Sequence, residues 1–556
     1  LPHCVMAGEV SPEQAESICE DIRLKTMGRP QTNDLNDESS SSSSLPKWDC
    51  LVLTAMNEQQ KRIFDLQLAD LPWREYAEKC VVVQDPPGIR AGSGGATVWV
   101  LKENRQNNYF DSESKMLLIH SGGYSQRTPH LSNVGKIFMT TPDETSFLER
   151  KLKGLRSLLP SLRSGIFIAA SDVMEKIPIT IDSIGEETDL LLIMHKSPLE
   201  VARNHGVYIV DEAGELERVL QKPSEKEMKE EGAIGDMSPD PWCFTDSAYF
   251  ISSKITHRLL EFVAPNCPIK TEVCAYGDFM RSLGKKARKE AEAIDFTGLD
   301  PMEIKTRHNL HIWRLCLEAC FKGAKIKLLD CGFDSFFHFG SIAECRQHFH
   351  NLMKDRRDIP LIPLHSTWEY KVGEETIVEY SNLPPNPYTV IGNRSIVSNC
   401  YVGRKKNLQT INIPDNVVVY STPVVRNDRK GWVTVVIGTE DDVKMSYELG
   451  HVLWSGTKLK DYEGTSLWNA PLFTMTPGAE KSLLQSLRKY QHREADPEVL
   501  KCCGWSMADV VRYVDADKLV EYRRQRRELW WRYGPGSLGD PSPDWAPELP
   551  CSTSLR

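Results

Sequence analysis

From Trp48 onward, short apolar runs alternate with stretches whose apolar residues recur at helical spacing. Cys50-Leu51-Val52-Leu53, Cys80-Val81-Val82-Val83, Met116-Leu117-Leu118-Ile119, Gly165-Ile166-Phe167-Ile168-Ala169 and Leu190 to Met194 read as buried strands. Between them, Glu58 to Leu68 reads as a helix, and a glycine loop from Gly88 to Gly95 leads into a helix from Ala96. Ser146 to Leu158 reads as another helix. Strands this short and this apolar, alternating with helices, predict an α/β fold with a mostly parallel sheet covered on both faces. The pattern runs to about Pro363.

Beyond that point helices disappear. Val372, Ile377-Val378, Leu383, Val390-Ile391, Ile396, Val402, Ile411 to Ile413 and Val417-Val418 recur at steps of roughly six residues, with Gly, Pro and Asn between them. Such spacing predicts short strands stacked as a β-helix, with an irregular β-sandwich as the alternative. Pro477 to Tyr533 returns to helix, with a helix start at Ser506-Met507-Ala508-Asp509. At the ends, Pro12 to Thr26 reads as a helix capped by Ser11, while the polar Thr32 to Ser44 and the tail from Gly534 read as unfolded. The expected organisation is a peripheral segment over 1–47 and an α/β domain over 48–365. A β-helix domain over 366–470 and a helical region with a tail over 471–556 complete it.

Composition narrows the function. Hydrophobic residues make up 40% and charged residues 26% of 556, and the formal net charge is -9. That balance argues against a general polyanion binder, so no nucleic acid is expected. There are 15 cysteines and no CxxC pair, which gives neither a zinc spacing nor a disulfide framework. Buried reduced thiols suit a cytoplasmic protein. No apolar run is long enough for a transmembrane helix, so no membrane partner is expected. The clusters Glu225 to Glu231 and Lys285 to Lys289 read as solvated faces. Arg523 to Arg527, beside Trp530-Trp531, reads as an amphipathic helix that packs its aromatic side and turns most of its arginines outward.

The densest chemical signal is His120-Ser121-Gly122-Gly123-Tyr124-Ser125-Gln126-Arg127-Thr128-Pro129, followed by Gly135-Lys136. Two glycines directly after a strand let main-chain amides approach a polyphosphate. Arg127 can clamp phosphate oxygens, and Lys136 adds a compact cation where negative charge gathers. The simpler reading of the paired glycines is a turn; Arg127 and Lys136 beside them favour phosphate. A second glycine loop, Gly92-Ser93-Gly94-Gly95-Ala96-Thr97, opens onto a helix N-terminus, where an anion or a base edge is favoured.

The Gly122 to Lys136 segment resembles the signature of the sugar nucleotidyltransferases, GGxGTRL followed by PK, with Ser125, Gln126 and Gly135 as departures. More narrowly, Ile119 to Arg127 with Gly135-Lys136-Ile137-Phe138, the loop Gly92 to Thr97, Ala275-Tyr276-Gly277-Asp278-Phe279 and Asp517 to Arg523 are similar to the fucose-1-phosphate guanylyltransferase family. The likeness spans roughly 48–530. It implies a Rossmann-like nucleotidyltransferase domain followed by the β-helix, with terminal α-helices. The implied reaction joins GTP and L-fucose 1-phosphate, giving GDP-L-fucose and pyrophosphate.

On that resemblance, Gly122, Gly123, Arg127 and Lys136 face the phosphates, with Gly92, Gly94 and Gly95 against the nucleotide. Asp172, at the end of Ile166 to Ser171, is the expected Mg2+ ligand, against the plainer reading of a helix cap. His205 to Asp211 and Gln221-Lys222-Pro223 resemble the stretch that binds sugar and phosphate, which makes Lys222 a phosphate ligand. Asp246 and Asp278 are the expected sugar-side residues. Three positions depart from the pattern: Gln221 replaces a glutamate, His338 stands where a second metal-binding aspartate is expected, and Cys274 replaces an acid. His338 is either a poor magnesium neighbour or a satisfied core histidine. The alternatives are a sugar nucleotidyltransferase using UTP and a non-catalytic regulatory relative. Nothing in the sequence reads out an oligomeric state.

Overall fold

In the computed structural model of the chain, the described residues are 45–141, 145–178, 184–185, 187–235, 240–287, 301–354, 371–385, 387–403, 410–444, 452–459, 465–493 and 504–533. The expected helix at Pro12 to Thr26, the serine run and the tail from Gly534 lie outside them. The chain divides into two compact units. One runs to Gly123 and takes in Val134–Met139 and Ser146–Phe339; the other takes in Tyr124–Asn133, Thr140–Thr145 and the chain from Gly340.

The first unit is built on a nine-stranded mixed sheet. Its strands are β1 (Trp48–Ala55), β2 (Ala77–Gln84), β3 (Lys115–His120), β4 (Gly165–Ala170), β6 (Leu190–Pro198), β7 (Gly206–Val210), β8 (Leu216–Gln221), β9 (Trp242–Ser252) and β10 (Ile326–Asp330). The spatial order is β10-β6-β9-β4-β3-β1-β2, with β7 on β9 and β8 on β7. Two short strands, β5 (Val173–Glu175) and β11 (Phe336–His338), pair antiparallel outside it. The expectation of a mostly parallel sheet is corrected here. β2, β1, β3 and β4 run parallel, as do β6 and β10, but β9 enters between β4 and β6 antiparallel to both. A strand buried on both faces is an apolar run whichever way it points, so the pattern of residues cannot give its direction.

The helix α1 (Glu58–Leu68) begins at Asn57, whose side chain accepts from the Gln60 N–H. It is followed by α2 (Gly92–Asn107), α3 (Phe147–Leu155) and α4 (Pro301–Phe321). Helix α2 starts at Gly92, earlier than the expected Ala96. Val98 and Leu101 of α2 share one core with Trp313 and Leu317 of α4 and with Leu118, Ile168 and Leu192 of the sheet. Carboxyl ends of the parallel strands therefore emerge from a buried apolar layer, and the loops leaving them are where a ligand site is expected.

The second unit carries two ladders of short parallel strands. In one, β12 (Lys371–Val372), β14 (Thr389–Ile391) and β16 (Ile411–Ile413) pair in order; in the other, β13 (Ile377–Glu379), β15 (Ile396–Ser398) and β17 (Val417–Arg426) do so. β18 (Arg429–Gly438) then closes a long antiparallel hairpin on β17. Successive rungs are also tied by side chains. The Thr376 hydroxyl accepts from the Ser395 N–H, and the Ser395 hydroxyl accepts from the Val417 N–H.

Among the described residues this unit has the helices α5 (Ile342–Lys354), α6 (Ala479–His492), α7 (Met507–Arg512) and α8 (Ala516–Tyr533). Ser506 caps α7 through a reciprocal capping box with Asp509. The expected outward arginines of α8 are corrected in part. Arg523 and Arg526 are buried, and the Arg523 guanidinium lies 3.6 Å from the centre of the Tyr380 ring and donates to Asn399 Oδ1. Planar guanidinium groups stack on aromatic faces, so these cations count among the packed residues.

Candidate functional site

At the end of β3 the chain makes the glycine turn. The Thr54 hydroxyl, on the neighbouring strand β1, accepts from the Ser121 and Gly122 N–H groups at 3.0 and 3.3 Å. A Cβ on Gly122 would sit 3.1 Å from the Ala55 and Met56 backbone, closer than most side chains come to a neighbouring main chain, so a glycine suits this turn. Gln60, in the first turn of α1, donates to the Gly123 carbonyl and accepts from the Met56 N–H. Gly123 has φ +133° and open space where a Cβ would stand. The turn is thus held from below by Thr54 and Gln60, residues that sequence reading missed.

Lys136 lies in a single helical turn, Lys136–Phe138, entered through Gly135 at φ +82°. A Cβ on Gly135 would lie 2.6 Å from the Phe64 ring, so this departure from the family signature has a packing cause. The Lys136 ammonium is buried and reaches Asp172 Oδ2 at 2.9 Å. Asp172 follows β4, and its main-chain carbonyl accepts from the Phe339 N–H. His338 Nε2 stands 3.7 Å from the same carboxylate oxygen. Burial by itself would raise the Asp172 carboxyl; the Lys136 ammonium and the His338 imidazole outweigh it and hold the group well below the usual carboxylate range.

The second expected cation, Arg127, is exposed and falls in the second compact unit, whereas Gly122, Gly123 and Lys136 fall in the first.

His205 links this pair to the expected sugar side. Its ring meets the His338 ring edge-on at 4.7 Å, and its carbonyl accepts from the Lys222 N–H. Lys222 itself is exposed, with a left-handed backbone at φ 49°, an uncommon conformation for a non-glycine residue. The next residue after His205, Gly206, donates its N–H to Asp246 Oδ1 at 2.9 Å. Asp246 is only 3% exposed, and its Oδ2 has no hydrogen-bond partner among the described residues. Burial pushes its carboxyl up to about 7, against the pull of the Gly206 N–H and the Lys222 charge. Lys136, Asp172, His338, His205, Lys222 and Asp246 therefore form one connected set. In the sequence His205 only opens the His205 to Asp211 motif and carries no expected role of its own.

The remaining expected residues form a different assembly. The amides of Gly94 and Gly95 both donate to the Val273 carbonyl, at 2.8 and 3.2 Å. A Cβ on Gly92 would meet that carbonyl at 2.5 Å, and one on Gly94 would meet the Phe279 ring at 3.0 Å. These glycines let the 272–279 segment lie on the start of α2, and two of the amides an anion would use are already bonded. Asp278 is buried in the same segment: one oxygen accepts from the Cys274 N–H and the other from Arg314 Nε, each at 2.8 Å. Its contacts brace the turn that follows Cys274.

Among the described residues no three His, Cys, Asp or Glu side chains cluster as a metal site. Asp172 offers one partly open carboxylate, with an imidazole beside it. Mg2+ takes oxygen ligands and is commonly held by one or two carboxylates together with substrate phosphates and water. A single carboxylate fits that arrangement, whereas His338 adds nothing to it. The clusters read as solvated faces behave so in part: Lys285 pairs with Asp211 and Glu215, and Lys286 with Glu217.

A mixed sheet that holds a glycine turn and a lysine–carboxylate pair at its strand ends suits an enzyme handling phosphorylated substrates. The chain belongs to the fucose pyrophosphorylase domain family, whose model matches residues 111–485, about two thirds of its length. Among proteins of known activity it is similar to the human fucose-1-phosphate guanylyltransferase, at 25% identity, covering 86% of this chain and 90% of that one. The mouse fucose-1-phosphate guanylyltransferase is 27% identical, covering 86% and 92%. The bifunctional fucokinase/GDP-fucose pyrophosphorylase of Arabidopsis thaliana is 23% identical, covering 80% of this chain and 48% of that protein. Among the described residues no helix is long and apolar enough to cross a membrane.

Proposed function

We propose that this chain is a nucleotidyltransferase that joins L-fucose 1-phosphate to the GMP moiety of GTP, giving GDP-L-fucose and pyrophosphate in fucose salvage. The observation that carries the reading is the match to the human and mouse guanylyltransferases along most of both chains. A non-catalytic reading is not favoured, because these relatives are named for the transferase activity.

In this reaction a phosphate oxygen of the sugar phosphate attacks the α-phosphorus of GTP in line, and pyrophosphate leaves. The attacking oxygen is already ionised, so no general base is needed, and the work is positioning and charge neutralisation. In our reading the Gly123 N–H approaches the phosphates, with Gly122 already shared with Thr54. Lys136 neutralises charge that develops at the α-phosphate. Arg127 is assigned to leaving-group charge on the family signature. Lys222 receives the sugar phosphate, and Asp246 Oδ2, which has no hydrogen-bond partner among the described residues, accepts from a sugar hydroxyl. Asp278 acts by holding its segment in shape, and Gly92, Gly94 and Gly95 act through the same packing. When bound, Mg2+ at Asp172 would supply a positive charge shared by the triphosphate oxygens. His338, 3.7 Å from that carboxylate, restrains its orientation.

The mixed sheet with parallel β2, β1, β3 and β4 supports a Rossmann-like reading of 48–365, and the paired parallel ladders support a β-helix over 366–470. A cytoplasmic site of action belongs to the same reading, on the expectation from the sequence that its cysteines are buried, reduced thiols.

The test is turnover of purified protein with each of four nucleoside triphosphates and several sugar 1-phosphates, followed as pyrophosphate release. GTP with L-fucose 1-phosphate is expected to be preferred, and turnover should stop on chelation of Mg2+. Turnover with UTP alone would end the guanylyl assignment.

A further inference from the structure

Lys136, Asp172 and His338 come from three separate places in the sequence, and all three are anchored to one short helix. Helix α3 begins at Phe147, whose N–H donates to the Met139 carbonyl at 2.8 Å, just past the turn that carries Lys136. The Phe147 ring packs edge-on against Phe339, the residue after His338, with centres 5.0 Å apart. One helical turn further on, Lys151 sends its ammonium to the Val173 carbonyl and to Glu175 Oε2, each at 2.7 Å. Val173 is the residue after Asp172, and Val173 and Glu175 are the two ends of β5. Residues four apart share a helix face, so a single face of α3 touches all three attachment points.

The chemistry of the anchor is unusual for mere stability. Lys151 and Glu175 side chains are 0% and 1% exposed. A buried ion pair has to repay a large desolvation cost, and well-packed apolar residues in its place are often as stable. What the pair supplies is direction. Lys151 binds a main-chain carbonyl and a carboxylate on one strand, and so fixes both its height and its rotation. β5 in turn pairs with β11, opposite His338.

We propose that α3 sets the spacing of the Lys136–Asp172–His338 group, with Lys151 as the positioning residue. Lys151 touches no substrate in this proposal; it acts through Val173 and Glu175 on the placement of Asp172. The inference rests on the transferase reading for its kinetic arm alone.

The test is the double variant Lys151→Met/Glu175→Leu in the full chain, which removes both charges together. It is expected to melt near the wild-type temperature while kcat falls by about tenfold to a hundredfold, the range for a displacement near one ångström. KM for GTP and L-fucose 1-phosphate should stay within about threefold, because ground-state binding is retained. A crystal structure of the variant should show Lys136 Nζ and Asp172 Oδ2 separated well beyond their present 2.9 Å. A folded variant with wild-type kcat, or with that separation unchanged, overturns the proposal. Should the double variant not fold, Phe147→Leu decides: reduced kcat with an intact fold supports the proposal, and unchanged kcat overturns it. If the wild-type protein itself turns over no nucleotide, the transferase reading fails, and the crystallographic separation still decides the role of Lys151.

Discussion

Asp246 offers a measurement that separates burial from hydrogen bonding. In the folded chain its carboxyl titrates near 7, against 3.8 for an ordinary aspartate, because burial disfavours the charged form. The native state therefore binds this proton more tightly than the unfolded chain. Stability from this group is complete below about pH 4 and is lost as pH rises through 7. A shift of about three units corresponds to about 4 kcal/mol. Asp246→Asn removes the ionisation and keeps an acceptor for the Gly206 N–H. Urea unfolding at pH 4 should find the variant and the wild type alike, and at pH 8 the variant should be the more stable by up to about 4 kcal/mol. Its stability should also vary less between those limits. Parallel curves for the two proteins from pH 4 to 8 would show that the carboxylate is not strained by burial and would refute the reasoning. Gain in stability should come with a functional loss, since an amide nitrogen in place of Oδ2 cannot accept from a sugar hydroxyl: KM for the sugar phosphate should rise by about tenfold or more.

Other substitutions test other parts of the site. Lys136→Ala should lower kcat on the order of 10² or more, and a circular-dichroism melt should show the fold intact; unchanged kinetics would remove Lys136 from the reaction. Arg127→Ala, at an exposed position, should leave the melting temperature unchanged and reduce turnover in the pyrophosphate assay. Gly135→Ala should cost about 1–3 kcal/mol in urea unfolding, because it combines a left-handed backbone with a collision against Phe64. A loss of only a few tenths would mean that the turn relaxes freely.

Much of the framework was legible in the sequence. Helix α1 spans the residues its pattern predicts, and β1, β2, β3 and β4 contain the predicted apolar runs with at most three residues added at either end. The rungs of the second unit fall where the apolar pairs recur. Long-range choices left no local mark. The glycines at 92, 94 and 95 look like an anion loop because both uses demand the same absence of a side chain; only Val273 and Phe279, far along the chain, show that packing is one of them. In the sequence His338 reads as either a poor magnesium neighbour or a satisfied core histidine, and its place beside Asp172 needs the pairing of β5 with β11. Lys151 did leave a trace. It stands on the apolar face of α3 among Phe147, Leu148, Leu152 and Leu155, where a lysine is out of keeping unless something buried receives it.

The ladders of the second unit limit how this part of the chain can change in length. Ser395 follows its rung partner Thr376 by 19 residues, and Val417 follows Ser395 by 22. The paired strands keep their register across both steps, with Ile377 opposite Ile396 and Ile396 opposite Val418, so length added between the strands leaves the pairing intact. Removing a single residue from inside a rung is a different event: every side chain after it on that rung would swap to the opposite face of the strand. Natural variation here should therefore come as residues added between the paired strands, and hardly ever as one-residue gaps within Ile377–Glu379 or Ile396–Ser398.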